Sequence, residues 1–184
     1  MLIAKQKKEK NIAEYILYMW QIEDIIRAYC LDIEAIQKNI VEQFDADEET
    51  KKEIREWYEN LISMMRLENI QEKGHLQINK NIVSDLNDLH LELLQDPKEI
   101  QYNALFFKTL PFLVEFRNKT KAGEETDDVE LAFNALYGIL LLRLQKKEIS
   151  KETMQAVEQI GKFLAVLSIN SAKARMNENP SFRA

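Results

Sequence analysis

The chain has 184 residues, 46% hydrophobic and 30% charged, with 31 acidic against 25 basic side chains and a net charge of −6. That length suits one domain, or two small ones, and is enough to bury a core. Four glycines and three prolines are too few for the turns of a β-sandwich or barrel, and the ordinary apolar fraction excludes general disorder.

Apolar residues recur at helical spacing almost throughout. The first predicted helix runs from about Lys7 to Cys30, with Ile12, Tyr15, Ile16, Met19, Ile22 and Ile26 on one face. Asp32 is placed to cap a second, reaching about Phe44, with Ile33, Ile36 and Ile40 aligned. Asp45 and Asp47 open a third, to about Gln71, carrying Ile54, Trp57, Tyr58, Leu61, Ile62, Met65 and Leu67. Gly74 marks a break before a fourth helix from Ile78 to Gln95. Asp96-Pro97 reads as N-cap and first residue of a fifth, ending near Asn118, with Pro111 expected to kink it. Thr126 is placed to cap a sixth helix to about Lys147, and Ser150 a seventh to about Arg175. The expected fold is all-α: a single bundle of six or seven mostly antiparallel helices over residues 1–176, with 177–184 a flexible tail.

Two of these helices lack a clear polar face. On the fifth, only Gln101, Lys108 and Glu115 form a polar strip, and on the sixth Leu131, Phe133, Leu136, Tyr137, Ile139, Leu140, Leu141 and Leu142 cover most of the circumference. Such helices are surrounded by their own chain or complete a subunit interface. The seventh carries Lys151, Gln155, Glu158 and Lys162 on one face, and then Val166 and Ile169 on the same face. That mixed face makes Val166 and Ile169 a candidate contact with a second copy of the chain.

A net negative charge argues against a dedicated nucleic-acid binder, because phosphate affinity needs a basic surface. The lysines at positions 5, 7, 8 and 10 and the basic group Lys173, Arg175 and Arg183 read as solvated termini. No 18-residue apolar run predicts a membrane span, and Glu9 and Glu14 interrupt any signal-peptide core. Cys30 is the only cysteine, so no internal disulfide forms, and a small buried hydrophobe is its default role. These readings place the protein in the cytoplasm.

Catalytic patterns are weak. His75 and His90 are the only histidines, too few for a multi-histidine metal site. One Glu-x-x-His pair, Glu72 and His75, stands where a di-iron bundle needs two. No nucleophile elbow or phosphate-cradling glycine loop occurs. An Arg-x4-6-His nuclease pattern fails after Arg117, since position 122 is Ala and no histidine follows. The reading therefore leans away from an enzyme and assigns no cofactor and no metal. The one informative constellation lies on the first helix. Glu23 falls inside the apolar stripe, Arg27 one turn on is spaced for an ion pair with it, and Trp20 lies beside Arg27. A charge on an apolar face needs a partner. The expectation is a Glu23–Arg27 pair that sets helix register. The alternative is a polar ligand pocket formed by Trp20, Glu23 and Arg27, with Arg117 as a further member. Trp57-Tyr58 and Phe106-Phe107 read as core rather than as a cofactor box.

The stretch from Asn11 to Arg27, NIAEYILYMWQIEDIIR, and the block from Leu110 to Thr120, LPFLVEFRNKT, resemble a family of uncharacterised all-helical bacterial proteins catalogued only as a domain of unknown function. The resemblance extends over nearly the whole chain. It implies a bacterial, single-domain helical protein and supplies no activity or site residue. The function expected from the sequence is a non-catalytic contact protein, with a homodimer as its simplest form and a ligand-binding bundle or enzyme as the alternative.

Overall fold

The computed structural model describes the backbone of residues 2–178. Among these the chain is all-α, with no strand. In order, the helices are α1 (Leu2–Lys10), α2 (Ile12–Ala28), α3 (Ile33–Asn39), a 3-10 turn (Val41–Gln43), α4 (Glu48–Leu67), α5 (Gln77–Gln95), α6 (Ile100–Thr120), α7 (Asp128–Leu144) and α8 (Lys151–Glu178). The chain forms two compact units. One comprises residues up to Lys10 together with Glu14–Asn81, and the other comprises Asn11–Ala13 and the residues from Ile82 onward.

In the first unit, α2 buries Ile16, Met19, Trp20, Ile22 and Ile26, and α4 buries Ile54, Tyr58, Leu61, Ile62 and Met65. Both sets follow the three-to-four spacing, and each buried apolar side chain contributes roughly 1.5–3 kcal/mol. α3, the 3-10 turn and α4 pack together, with Ile36 and Val41 fully buried between them. Arg55 of α4 ties the surface of this group, reaching Glu34 at 2.5 Å and Glu59 at 3.0 Å. Asp32 caps α3 through the amides of Glu34 and Ala35, and Asp47 caps α4 through the amide of Thr50 at 2.8 Å.

In the second unit α6, α7 and α8 pack against one another. α7 packs beside α6 after the short loop that follows Thr120. Tyr102, Phe106, Thr109 and Leu113 form the buried side of α6. The first half of α7 is enclosed nearly all round, burying Val129, Leu131, Ala132, Phe133 and Ala135. α8 contributes Ile160, Phe163, Leu164 and Leu167. His90 of α5 is fully buried, hydrogen-bonded through Nδ1 to the Tyr102 hydroxyl at 2.7 Å and set edge-on to Phe106 and Phe163. Burial lowers the His90 pKa below its ordinary 6.5 and raises that of Tyr102. Gln159 donates to Thr109 Oγ1 at 3.1 Å, joining α8 to α6. The Ala13 amide donates to Ser168 Oγ at 3.3 Å, which fastens the start of α2 to this unit.

Several expected boundaries move for local reasons. The first predicted helix is two helices. Asn11 Oδ1 accepts from the Ala13 amide at 3.0 Å, so Asn11 starts a new helix rather than continuing the old one. The second predicted helix ends in a 3-10 turn. Asp96 does not cap α6. Its Oδ1 accepts from the Lys98 amide at 2.8 Å in a tight turn around Pro97, and α6 begins at Ile100. The cap of α7 is Asp127 rather than Thr126, with the Glu130 amide at 2.7 Å from its carboxylate. Ser150 caps α8 as expected, accepting from the Thr153 amide, but the helix runs through Asn177 to Glu178. The rest of the expected tail lies outside the described residues. Cys30 is exposed rather than buried, because the chain turns out of α2 there with φ of 54°. Phe107 is exposed while Phe106 is buried, since adjacent helical residues point about 100° apart.

Candidate functional site

Glu23, in the middle of α2, is a fully buried carboxylate. Its partners come from the start of α5 and the loop before it. The Leu76 amide donates to Oε1 at 3.1 Å and Asn79 Nδ2 donates to the same oxygen at 2.7 Å. His75 Nδ1 lies 2.6 Å from Oε2. The imidazole also stacks on the Trp20 ring, with centroids 3.9 Å apart and planes 11° from parallel. The Gln77 amide donates to Glu68 at 2.7 Å. Two carboxylates from elsewhere in the chain thus meet the positive end of α5, where backbone N–H groups lack helical partners. Glu23 is a cap supplied from another helix.

This arrangement replaces the expected Glu23–Arg27 pair. Glu23 points at α5, whereas Arg27 bonds Asp24 at 2.7 Å and reaches the carbonyls of Ile70 and Gly74. Asp24 therefore takes the role expected of Glu23, at i,i+3 rather than i,i+4. Arg27 holds the loop between α4 and α5 through its backbone, and that loop ends at His75. Trp20, Glu23 and Arg27 thus act on one segment, residues 70–79, each at a different point of it.

The chemistry available at this segment is narrow. His75 is 25% exposed at its side chain, and its Nδ1 is committed to Glu23. Such a contact fixes the ring's orientation. Asn79 is fully buried, and its Oδ1 has no hydrogen-bond partner. Tyr15 has a pKa raised by burial and, second, by the charge of Glu23. No group of three or more metal-ligating side chains occurs among the described residues.

Arg117 belongs to the second unit. Its guanidinium donates to the carbonyls of Gly123 at 2.7 Å and Thr126 at 2.8 Å, and to Asp128 at 3.4 Å. It braces the α6–α7 loop in the way that Arg27 braces the loop before α5. Of the candidate contact residues, Ile169 is 55% exposed and Val166 half-buried on α8.

Sequence reasoning missed His75 and Asn79 as partners of Glu23. Local spacing offers His75 only weak pairings, with Glu72 as a metal pair and, nine residues after Arg66, as a nuclease histidine. A usable signal was present: a histidine and an asparagine flank the first turn of α5, where a helix lacking its own strong cap needs acceptors from outside.

The fold and this network describe an all-helical protein in which a buried acid joins one helix to the start of another. The chain belongs to the family described as Domain of unknown function (DUF4924), whose model matches residues 1–178. No curated protein and no solved structure matches the chain. No helix among the described residues is long and apolar enough to cross a membrane.

Proposed function

We propose that this is a non-catalytic bacterial protein of the cytoplasm that works through protein contacts, with a homodimer as its basic form. The observation that carries this reading is a set of large apolar side chains held in solvent on helices whose other side is core: Ile100, Phe107 and Val114 on α6, and Ile169 and Met176 on α8. Surfaces of this kind gain free energy when another helix covers them. The excess of acidic residues supports a protein partner over nucleic acid. Residues 1–176 are proposed to fold as one cooperative domain. Light scattering on the native chain tests the central point: a dimer is expected, and a monomer at all accessible concentrations refutes it. The variant carrying Val166→Glu and Ile169→Glu asks whether α8 supplies the contact.

One atom favours a second reading, a small-ligand site around Trp20, Glu23 and Arg27. Asn79 Oδ1 is a buried acceptor beside Glu23, and a ligand N–H or O–H would satisfy it. Mass spectrometry of small molecules released from the purified native chain, compared with Glu23→Gln, tests this reading. A ligand carried by the native chain and lost in the variant supports the site, and identical spectra refute it.

A further inference from the structure

α6 has a second, solvent-facing seam opposite its buried one. Ile100, Ala104, Phe107, Pro111 and Val114 are all exposed, Ile100 by 72%, Phe107 by 63% and Val114 by 47%. Their steps of four, three, four and three residues form a heptad seam, the spacing by which one helix packs along another. Gln101, Lys108 and Glu115, also exposed, run along one edge of it at intervals of seven.

We propose that this seam is the dimer contact, and that α6 of one copy crosses α6 of a second copy in antiparallel fashion about a two-fold axis at Pro111. The inference rests on the homodimer reading above and assigns the contact to α6 rather than to α8.

Self-complementarity points to the second copy as the occupant. In an antiparallel pair each edge of the seam faces the same edge of the partner. Reversing α6 about Pro111 sets Lys108, three residues before the axis, within one residue of the level of the partner's Glu115, four after it, and by symmetry Glu115 beside the partner's Lys108. The charge pair therefore occurs twice. A parallel pair sets that strip against the other edge, where Asn103, Leu110 and Arg117 stand; the one charge there, Arg117, is already held by the Gly123 and Thr126 carbonyls and Asp128. The apolar residues obey the same reversal. Phe107 lies over the partner's Val114, and Pro111, at the axis, meets its own copy with a compact ring. Glu115 already forms an exposed pair with Lys119 at 2.6 Å, and its second oxygen is available for a rim contact.

Area sets the strength. A whole aromatic side chain buries about 150–250 Å². At the observed exposures Ile100, Phe107 and Val114 alone offer about 350 Å² per copy, a little under half of the ~800 Å² that each partner gives to a stable complex. The flanking polar strip supplies the remainder, so the expected dimer is modest in affinity and sensitive to salt.

A charge-reversal cycle read by sedimentation equilibrium tests the arrangement at about 50 mM salt, where rim charges act most strongly. Lys108→Glu and Glu115→Lys alone each create two repulsive contacts and should weaken the dimer about tenfold. The double variant restores opposite charges and should return to within about threefold of the native dissociation constant. Phe107→Glu should give monomers with unchanged helix content, since that side chain is exposed. Equal behaviour of both single variants and the double variant overturns the antiparallel crossing. If Val166→Glu with Ile169→Glu dissociates the dimer and Phe107→Glu does not, the α6 contact is wrong while the homodimer stands. A native chain that is monomeric at about 100 µM, well above a modest dissociation constant, overturns both.

Discussion

Removing the Glu23 carboxylate should be among the most damaging single changes available in the first unit. In Glu23→Ala the Leu76 amide and Asn79 Nδ2, both fully buried, lose their acceptor. Each stranded donor costs about 1–3 kcal/mol. His75 is partly exposed and can turn to water, so it adds less. The expected loss is therefore about 4 kcal/mol, in line with the 3–5 kcal/mol typical of breaking a buried charged contact. With a urea slope near 2 kcal/mol per molar, the midpoint should fall by about 2 M. Glu23→Gln keeps an acceptor oxygen for the same two donors and loses mainly the charge-assisted contact to His75. Its cost should be about 1 kcal/mol, or roughly 0.5 M. The assay is equilibrium urea unfolding followed by helix signal and by tryptophan fluorescence, to which Trp20 contributes through its stack on His75. A midpoint for Glu23→Ala within about 0.3 M of native would refute the capping argument, since that is below the cost of even one stranded donor. Equal losses in the two variants would show that charge, rather than an acceptor in this place, is what α5 needs.

Other consequences follow from single groups. Because the His90 pKa is lowered by burial, the unfolded chain binds more protons as pH drops below about 6.5. The His90 contribution is thus complete above that value and lost as pH falls toward the folded pKa; urea midpoints at pH 7.5 and 5 should differ less in His90→Phe than in the native chain. Asp127 has its pKa raised, chiefly by burial and in smaller part by Asp128 and Asp88, so its stabilising share is largest below its unfolded pKa and is lost as pH rises through the folded one. Asparagine caps helices about as well as aspartate, and Asp127→Asn should match or slightly exceed native stability at pH 7 in thermal unfolding. Arg117→Met removes the donors to the Gly123 and Thr126 carbonyls. It should speed proteolytic cutting between Lys121 and Asp127 several-fold while leaving total helix content within error, and an unchanged cutting rate would deny Arg117 its bracing role.

Helix content and helix faces were legible in the sequence because burial repeats with the helical period. The buried stripe of α4, Ile54, Tyr58, Leu61, Ile62 and Met65, is the predicted one without Trp57, which is half-buried, and Leu67, which the helix end leaves exposed. Boundaries were less legible where one side chain chooses between two neighbouring amides, as Asp96 and Asp127 do. The partner of Glu23 was illegible for another reason. Spacing within one helix identifies Arg27 as its neighbour, but the true donors lie more than fifty positions on, and only the packing of α2 against the start of α5 brings them close. The missing polar face of α6 was visible as a pattern. Whether the chain's own core or solvent lay against it depended on which side α7 and α8 took. They took the side of Tyr102 and Phe106, leaving Phe107 outside.

The threading of the backbone bears on how this protein can be cut and recombined. Asn11–Ala13 sits with the C-terminal unit although its neighbours on both sides sit with the N-terminal one, and the chain passes between the units just after the first turn of α5. A single cut between Asn81 and Ile82 therefore keeps every residue of the first unit but leaves the second without Asn11–Ala13. A fragment ending near Asn81 keeps the Asn11 acceptor of the Ala13 amide but loses Ser168, and one starting near Ile82 lacks the first turn of its leading helix. Any exchange of the second unit between chains would have to carry that three-residue segment with it.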